Sequence, residues 1–481
     1  MKKEIIFPLI SGAVFFLVFA FPGKALEVTD ELELSGYLKN ETAYRVFDDN
    51  DNWMKIRNEA TLKAAYSPTD YLSAFINLRY YYDSVYDASN EFSTEAGHEL
   101  RHPRYQWDWL RECYADYLSD ALDVRLGKQT IVWGTADGVK ILDLVNPMDM
   151  REFTLAPFDE SRIPQWTAKA EISPTLNGTL QAFVIPWNFE PNYISPDGSP
   201  FTFRATSVGE ASKDQLESMG YTINNFDDQP ADSFDKSKFG FRWLDIIRNF
   251  EYSLNYLQGY NMSSVVNVEV DASTAVGAPP AQGLPPAGST WNFTKKYPYV
   301  HVMGGSGSYG INSGMLEGLT IRSEFAYTHG NECGFGEDSK QIGLTDVDNY
   351  NYMVGLDKYF FVKYLFSFQF IQFIDSKSQA STDGINYYPL IMGPTYHPRE
   401  QMETMLSLKV STQYLWDRLK PEVLALYGQH GDWRVSPQAR YEITDNLILT
   451  VGAHILLGSE TTLFGQFHDN KEMFLTMKYG F

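Results

Sequence analysis

The chain has 481 residues, with 39 Lys and Arg against 61 Asp and Glu, a formal net charge of -22. That acid excess argues against nucleic-acid binding, which needs a basic footprint. With 44% hydrophobic residues and a mean hydropathy of -0.30, the chain is too polar for a helical membrane protein; 31 Tyr and 32 Phe instead suit the aromatic girdles of a membrane barrel.

Lys2 and Lys3 precede an apolar run from Ile5 to Phe21, and Gly23-Lys24-Ala25 places small residues where a signal peptidase reads. Residues 1–25 are therefore expected to be a cleavable export signal and 26–481 the functional unit. A run of about 17 residues containing a proline is short for a retained anchor. Cleavage would remove three Lys and one Glu, leaving the remainder about two units more acidic.

From Leu32 onward the chain alternates. In Leu32–Val46, Leu32, Leu34, Leu38, Tyr44 and Val46 share one face, and Glu33, Lys39, Glu41 and Arg45 the other. In Trp53–Tyr66, Met54, Ile56, Ala60, Leu62 and Tyr66 oppose Lys55, Arg57, Glu59 and Lys63. Similar segments follow at 71–83, 107–118, 122–134, 164–173, 178–189, 236–244, 250–260, 295–309, 318–328, 346–360, 364–374, 400–414, 419–430, 433–444, 446–457 and 471–481. The total is about 18, each near the ten residues of a tilted membrane strand. Segment 107–118 carries Arg111, Glu112 and Asp116 on both faces and 236–244 is short, so 16 is the alternative count.

Connection lengths segregate by parity. Even-to-odd connections are mostly short, as in Ser67–Asp70, Ser119–Ala121 and Phe361–Lys363; most odd-to-even ones are long, including 84–106, 135–163, 190–235, 261–294, 329–345 and 375–399. A soluble sandwich has no reason to sort its loops this way. The expected fold is all-β: a transmembrane antiparallel up-and-down barrel with short periplasmic turns and long extracellular loops, in the outer membrane of a Gram-negative cell. Met473, Leu475, Met477, Tyr479 and Phe481 form the apolar face of the last segment and read as the membrane-insertion signal. Expected partners follow: outer-membrane lipid and lipopolysaccharide, the barrel-assembly machinery and a small-molecule solute, with a homo-oligomer left open.

Among the long loops, Ala278–Gly288 is proline-rich and extended. Ser212-Lys-Asp-Gln215 reads as a capping box opening a short helix that ends at Gly220. Asp48–Asn52 has oxygen ligands but not the spacing of an EF-hand, so no metal or other cofactor is assigned. Cys113 and Cys333 lie far apart, and sequence does not decide whether they pair.

Residues 122–163 break the rhythm. Trp133-Gly134, Gly138–Asp149 and the apolar Phe153, Leu155 and Phe158 are too hydrophobic for a loop in water. An inward fold that narrows the lumen is expected, with Trp133, Asn146, Pro147, Asp149, Phe153 and Phe158 as its constriction residues. Packing across the barrel mouth or at a subunit contact are the alternatives.

Arg125-Leu-Gly-Lys-Gln129, Trp133-Gly134 and Asn146-Pro-Met-Asp149 resemble the signature of a proteobacterial family of outer-membrane barrels of unknown function, loosely similar to alginate-export and phosphate-selective porins. Ile163-Pro-Gln-Trp166 and Ile185-Pro-Trp-Asn188 continue the likeness, which is strongest over 122–190. It implies a role beside exporters of hydrophobic or lipid-like molecules.

The inward face implies a channel. Lys55, Arg57, Glu59, Arg125, Arg322, Glu324 and Lys409 are the candidate pore-lining residues, because charges on a barrel interior are tolerated only when hydrated or paired. Lys55, Arg57 and Arg125 together would form a narrow basic zone favouring anions. The competing reading of these charges is salt-bridge ladders that stiffen the wall. An enzyme is not expected: His454 points inward, but no Ser motif of any specificity accompanies it. A lipid-export barrel and a sheath around a redox or other partner are the alternative functions.

Overall fold

The computed structural model describes residues 26–46, 52–89, 92, 94–102, 109–186, 189–230, 234–274, 286, 288–334, 344–377 and 400–481. The expected signal segment 1–25, the acidic turn at 48–51 and most of the proline-rich stretch lie outside these residues.

Eighteen antiparallel strands form the wall. They are β1 (Leu32–Arg45), β2 (Trp53–Thr69), β3 (Leu72–Asp83), β4 (Leu110–Leu118), β5 (Asp123–Gln129) and β6 (Gln165–Ile172). Next come β7 (Thr179–Ile185), β8 (Lys238–Ile247), β9 (Phe250–Tyr260), β10 (Tyr299–Gly310), β11 (Leu319–Gly334) and β12 (Leu344–Phe360). The last six are β13 (Tyr364–Asp375), β14 (Met402–Ser411), β15 (Leu419–Gly428), β16 (Trp433–Glu442), β17 (Leu447–Leu457) and β18 (Glu472–Gly480). Each pairs with its neighbours in chain order, and β1 pairs with β18 from Tyr37↔Gly480 to Arg45↔Glu472, which shuts the cylinder. Closure leaves no wall edge of unpaired N–H and C=O groups to face lipid. Strand Leu26–Thr29 adds a short hairpin partner to the start of β1.

Phe481 completes the seam. Gly36 donates its N–H to the Phe481 carbonyl at 2.8 Å, and Phe481 donates back to the Gly36 carbonyl at 3.0 Å. A Cβ on Gly36 would meet the Phe481 ring at 2.8 Å, so this junction needs glycine. Met473 and Leu475 stand exposed on the outside of the wall, with Met477 and Tyr479 on the same face.

The parity of the connections holds in three dimensions: short turns cluster at one end, long loops at the other. Several turns are tight enough to force left-handed backbone on non-glycine residues, including Phe361 and Val362 (φ 49° and 70°) and Leu415, Trp416 and Asp417 (φ 55–65°).

Four sequence expectations change. The segment 122–134 stops being a ladder at Gln129, because the chain then leaves the wall for the lumen. The short segment at 236–244 is a full ten-residue strand, Lys238–Ile247. The clash of faces in 107–118 is a β-bulge: Asn77 pairs Glu112 and Leu78 pairs Leu110, leaving Arg111 unmatched so that it turns inward beside Glu112. Helix Arg204–Ser218 runs through Ser212 instead of starting there. Its N-cap is Phe203, which makes no side-chain cap; Phe203 packs on Phe153 and Phe467, so burial sets where the helix begins.

Above the barrel, that helix covers a three-stranded sheet of Thr222–Asp227, Thr290–Lys296 and Val265–Asp271. Leu216, Tyr221, Val268, Trp291 and Phe293 make its small core. The segment expected at 295–309 is thus divided: Lys296 ends a strand of this sheet and Tyr299 begins β10. Cys113 and Cys333 form no disulfide.

Candidate functional site

The inner face of the wall has two zones. Toward the short-turn end it is charged. Toward the long-loop end Ala43, Phe183, Leu257, Val302, Ala326, Met353, Ile371, Met405, Leu426 and Leu456 are buried in one apolar cluster, while Lys55, Arg57, Asp83 and Glu472 keep β2, β3 and β18 charged at that end too. The same cluster contains Ile131, Trp133, Ile141, Leu142, Val145, Phe153 and Leu155. The loop that leaves β5 therefore folds into the bore and packs against its apolar wall, as its hydrophobicity demanded.

Its path can be followed by its anchors. Trp133 is 2% exposed, meets Phe183 edge-on at 5.5 Å and donates its indole N–H to Gln181 Oε1 at 2.9 Å. Gly134 (φ 84°) then passes Glu324, where a Cβ would lie 2.9 Å from a carboxylate oxygen. Glu324 is itself buried; it accepts the Thr135 N–H and hydroxyl and, at 3.3 Å, the Leu142 N–H. Asp137 reaches the wall opposite: its carboxylate takes bonds from Arg322 Nη2 at 2.8 Å and Gln369 Nε2 at 3.0 Å, with Lys409 at 3.9 Å.

The chain then turns back. Asn146 closes the loop on itself: it accepts the Ile131 N–H at 3.2 Å and donates to the Ile131 carbonyl at 2.5 Å. Pro147 is buried, and its carbonyl accepts the Ile163 N–H at 2.8 Å. Asp149 pairs with Arg151. Phe153 takes a left-handed backbone (φ 53°), a strain of roughly 1–3 kcal/mol. Burial against Phe201, Phe203, Phe464 and Phe467 offsets it. Phe158 lies under the Lys140 ammonium at 4.7 Å.

Wall cations grip loop carbonyls as well. Arg111 Nη2 donates to the carbonyls of Asp159, Glu160 and Arg162, Arg434 to Thr154, Lys238 to Val145 and Arg322 to Thr135. These bonds hold the backbone whatever its side chains. Sequence reading gave no site role to Arg79, Arg111, Asp137, Glu160, Lys238 or Arg434. Inward parity was the signal available for Arg79, Lys238 and Arg434, whereas Arg111 needed the bulge.

All seven candidate pore-lining residues face inward, but the proposed basic zone does not assemble. Lys55 and Arg57 both bind Glu152 of the loop, Arg57 at 2.5 Å. Arg125 stands apart on β5, paired with Asp116 at 2.6 Å and lying over Tyr114. Glu59 is fully buried and accepts from Tyr37 and Arg79. Arg322 also pairs with Asp357, and Lys409 with Glu422 at 3.3 Å. Burial alone would raise the Glu152 carboxyl, but Arg57 and Lys55 outweigh it and hold the group far below the usual carboxylate range. Asp149 is likewise held low: Arg151 overcomes its burial.

The loop leaves one side of the bore unfilled. A cavity of about 430 Å³ lies against β1–β3 and β16–β18, lined from Lys478 and Ile448 near the short-turn end to Pro200 and Phe201 at the long-loop end. His454 lines it too; Ser436 Oγ lies 3.1 Å from His454 Nδ1, and Phe474 stacks on the ring at 4.8 Å.

A closed 18-strand barrel with a loop folded into its lumen defines a porin-like β-barrel of the outer-membrane kind. The chain belongs to the family described as "Protein of unknown function (DUF1302)", whose model matches residues 40–481. Among solved structures it is similar to OpdL of Pseudomonas aeruginosa at 11% identity and TM-score 0.50, covering 94% of this chain and 99% of that one. OccAB4 of Acinetobacter baumannii (12% identity, 95% and 99% coverage, TM-score 0.49) and the outer membrane protein opdK of P. aeruginosa (10%, 94% and 99%, 0.49) also match. At such identity the likeness to OpdL concerns the fold alone. Comparison with curated proteins finds no match.

Proposed function

We propose that the protein is an outer-membrane channel for small solutes, constricted by the 130–163 loop, with passage along the β1–β3 and β16–β18 side. The observation that carries this reading is the cavity, whose lining runs from one end of the barrel toward the other beside a loop that seals the remainder. Charged groups at the wall of a hydrated bore select polar solutes. Planar-bilayer recording tests it: the intact protein gives discrete conductance steps, and deleting 138–158 raises their size several-fold. Silent bilayers with correctly folded protein, or steps unchanged by the deletion, would remove the reading.

One observation favours a second reading, export of a hydrophobic compound. The apolar collar toward the long-loop end would solvate a greasy cargo once the loop moved aside. Uptake into liposomes separates the two, since a solute channel swells vesicles in sugars or salts and a hydrophobic-cargo barrel does not.

A further inference from the structure

The cavity lining carries eight Lys and Arg and six Asp and Glu, and Glu59 and Glu442 just outside it pair with Lys39, Arg79 and Arg440. One lining cation stands apart from these pairs. Lys39 and Lys478 are direct cross-strand partners on β1 and β18, both facing the lumen. Like charges placed opposite one another destabilise a sheet. Lys39 is neutralised by Glu41 at 3.4 Å, Glu59 at 3.6 Å and Glu160 at 2.9 Å. Lys478 is not: its ammonium sits 3.9 Å from the centre of the Tyr37 ring, with no carboxylate of the described residues in ion-pair range. Beside it stands Ile448, its neighbour across the β17–β18 ladder; the Thr450–Thr476 pair comes next, and then Phe474, four residues along its own strand, all lining the same cavity.

We propose that this corner binds a small organic anion, its carboxylate at Lys478 and its apolar body along Ile448 and Phe474. The proposal rests on the channel reading and names its solute class. An ammonium that lines a cavity with no carboxylate of the described residues in ion-pair range can take an anionic ligand. The adjoining apolar surface selects one with a hydrocarbon body over chloride or phosphate.

The test separates binding from conduction. Calorimetric titration of the detergent-solubilised full chain uses hexanoate, its neutral isostere hexanamide, and inorganic phosphate. Hexanoate should bind at least tenfold more tightly than either comparator. Lys478→Gln should weaken hexanoate about fivefold, the factor for losing one unit charge at 4 Å in water. Lys478→Arg should retain binding, which shows that charge and not the fold is being read. Equal binding of hexanamide, preference for phosphate, or no effect of Lys478→Gln in a barrel that still migrates as folded would overturn the assignment. Bilayer recording of the same samples reports on the channel separately: hexanoate binding to a barrel that passes no current would spare this site and sink the channel.

Discussion

Two sides of the bore handle the same problem differently. On the β10–β15 side the loop meets the wall through an apolar seam and two polar latches, Glu324 with Thr135 and Leu142, and Asp137 with Arg322, Gln369 and Lys409. On the β1–β3 and β16–β18 side the contacts are ion pairs around a cavity, Glu152 with Lys55 and Arg57, and Glu160 with Lys39. An apolar seam excludes water and has no alternative partner to exchange with. Ion pairs around a cavity offer charges for which a passing polar solute can compete, although breaking a buried pair is costly. On the channel reading, the first side is the seal and the second the route.

Trp133→Ala should have the largest effect, because it removes the buried anchor at the root of the loop and affects both sides at once. Loss of a fully buried Trp costs about 3–5 kcal/mol, read from urea unfolding in detergent micelles. Glu152→Gln should come next, at about 2–4 kcal/mol, since it strands two partly buried cations; conductance should shift toward anions without a larger pore. Asp137→Asn should cost about 1–2 kcal/mol and, unlike the Glu152 change, produce a noisier, leakier pore, because the latch lies on the sealing side. If Asp137→Asn altered only selectivity and Glu152→Gln only leak, the assignment of seal and route would be reversed.

The smallest effect is expected from mild acid. Glu152 and Asp149 are held below the usual carboxylate range when the loop is docked. The undocked loop therefore binds protons first, and docking weakens only as pH falls below the ordinary carboxylate value of about 4. Loop docking should be unchanged from pH 8 to 5, with release appearing only in stronger acid. A step in pore size near pH 6 would show that other groups control docking.

Much of the wall was legible because a strand between lipid and water has a strict two-residue period, and parity of loop length is independent of it. That let Leu447–Leu457 and Phe250–Tyr260 be placed almost to the residue. The inward fold of Trp133–Phe158 was legible for a cruder reason, hydrophobicity in a connection that should be wet. What those residues touch was not legible. Arg111 was puzzling until a bulge turned it inward, and Ser212 resembled a cap while the helix started at a residue held by aromatic packing. Lys55, Arg57 and Arg125 read as one basic zone because periodicity reports a face but not which charges a returning loop will cover.

The sequence by itself determined a cylinder, the sorting of its loops and the segment that enters it, because those follow from local alternation, loop lengths and the transfer of apolar surface out of water. Tertiary structure alone decided which wall charges the loop covers and that Lys478 has no carboxylate of the described residues in ion-pair range. Both depend on side chains more than a hundred residues apart meeting across the lumen, as Lys39 meets Glu160. No local pattern encodes such a meeting.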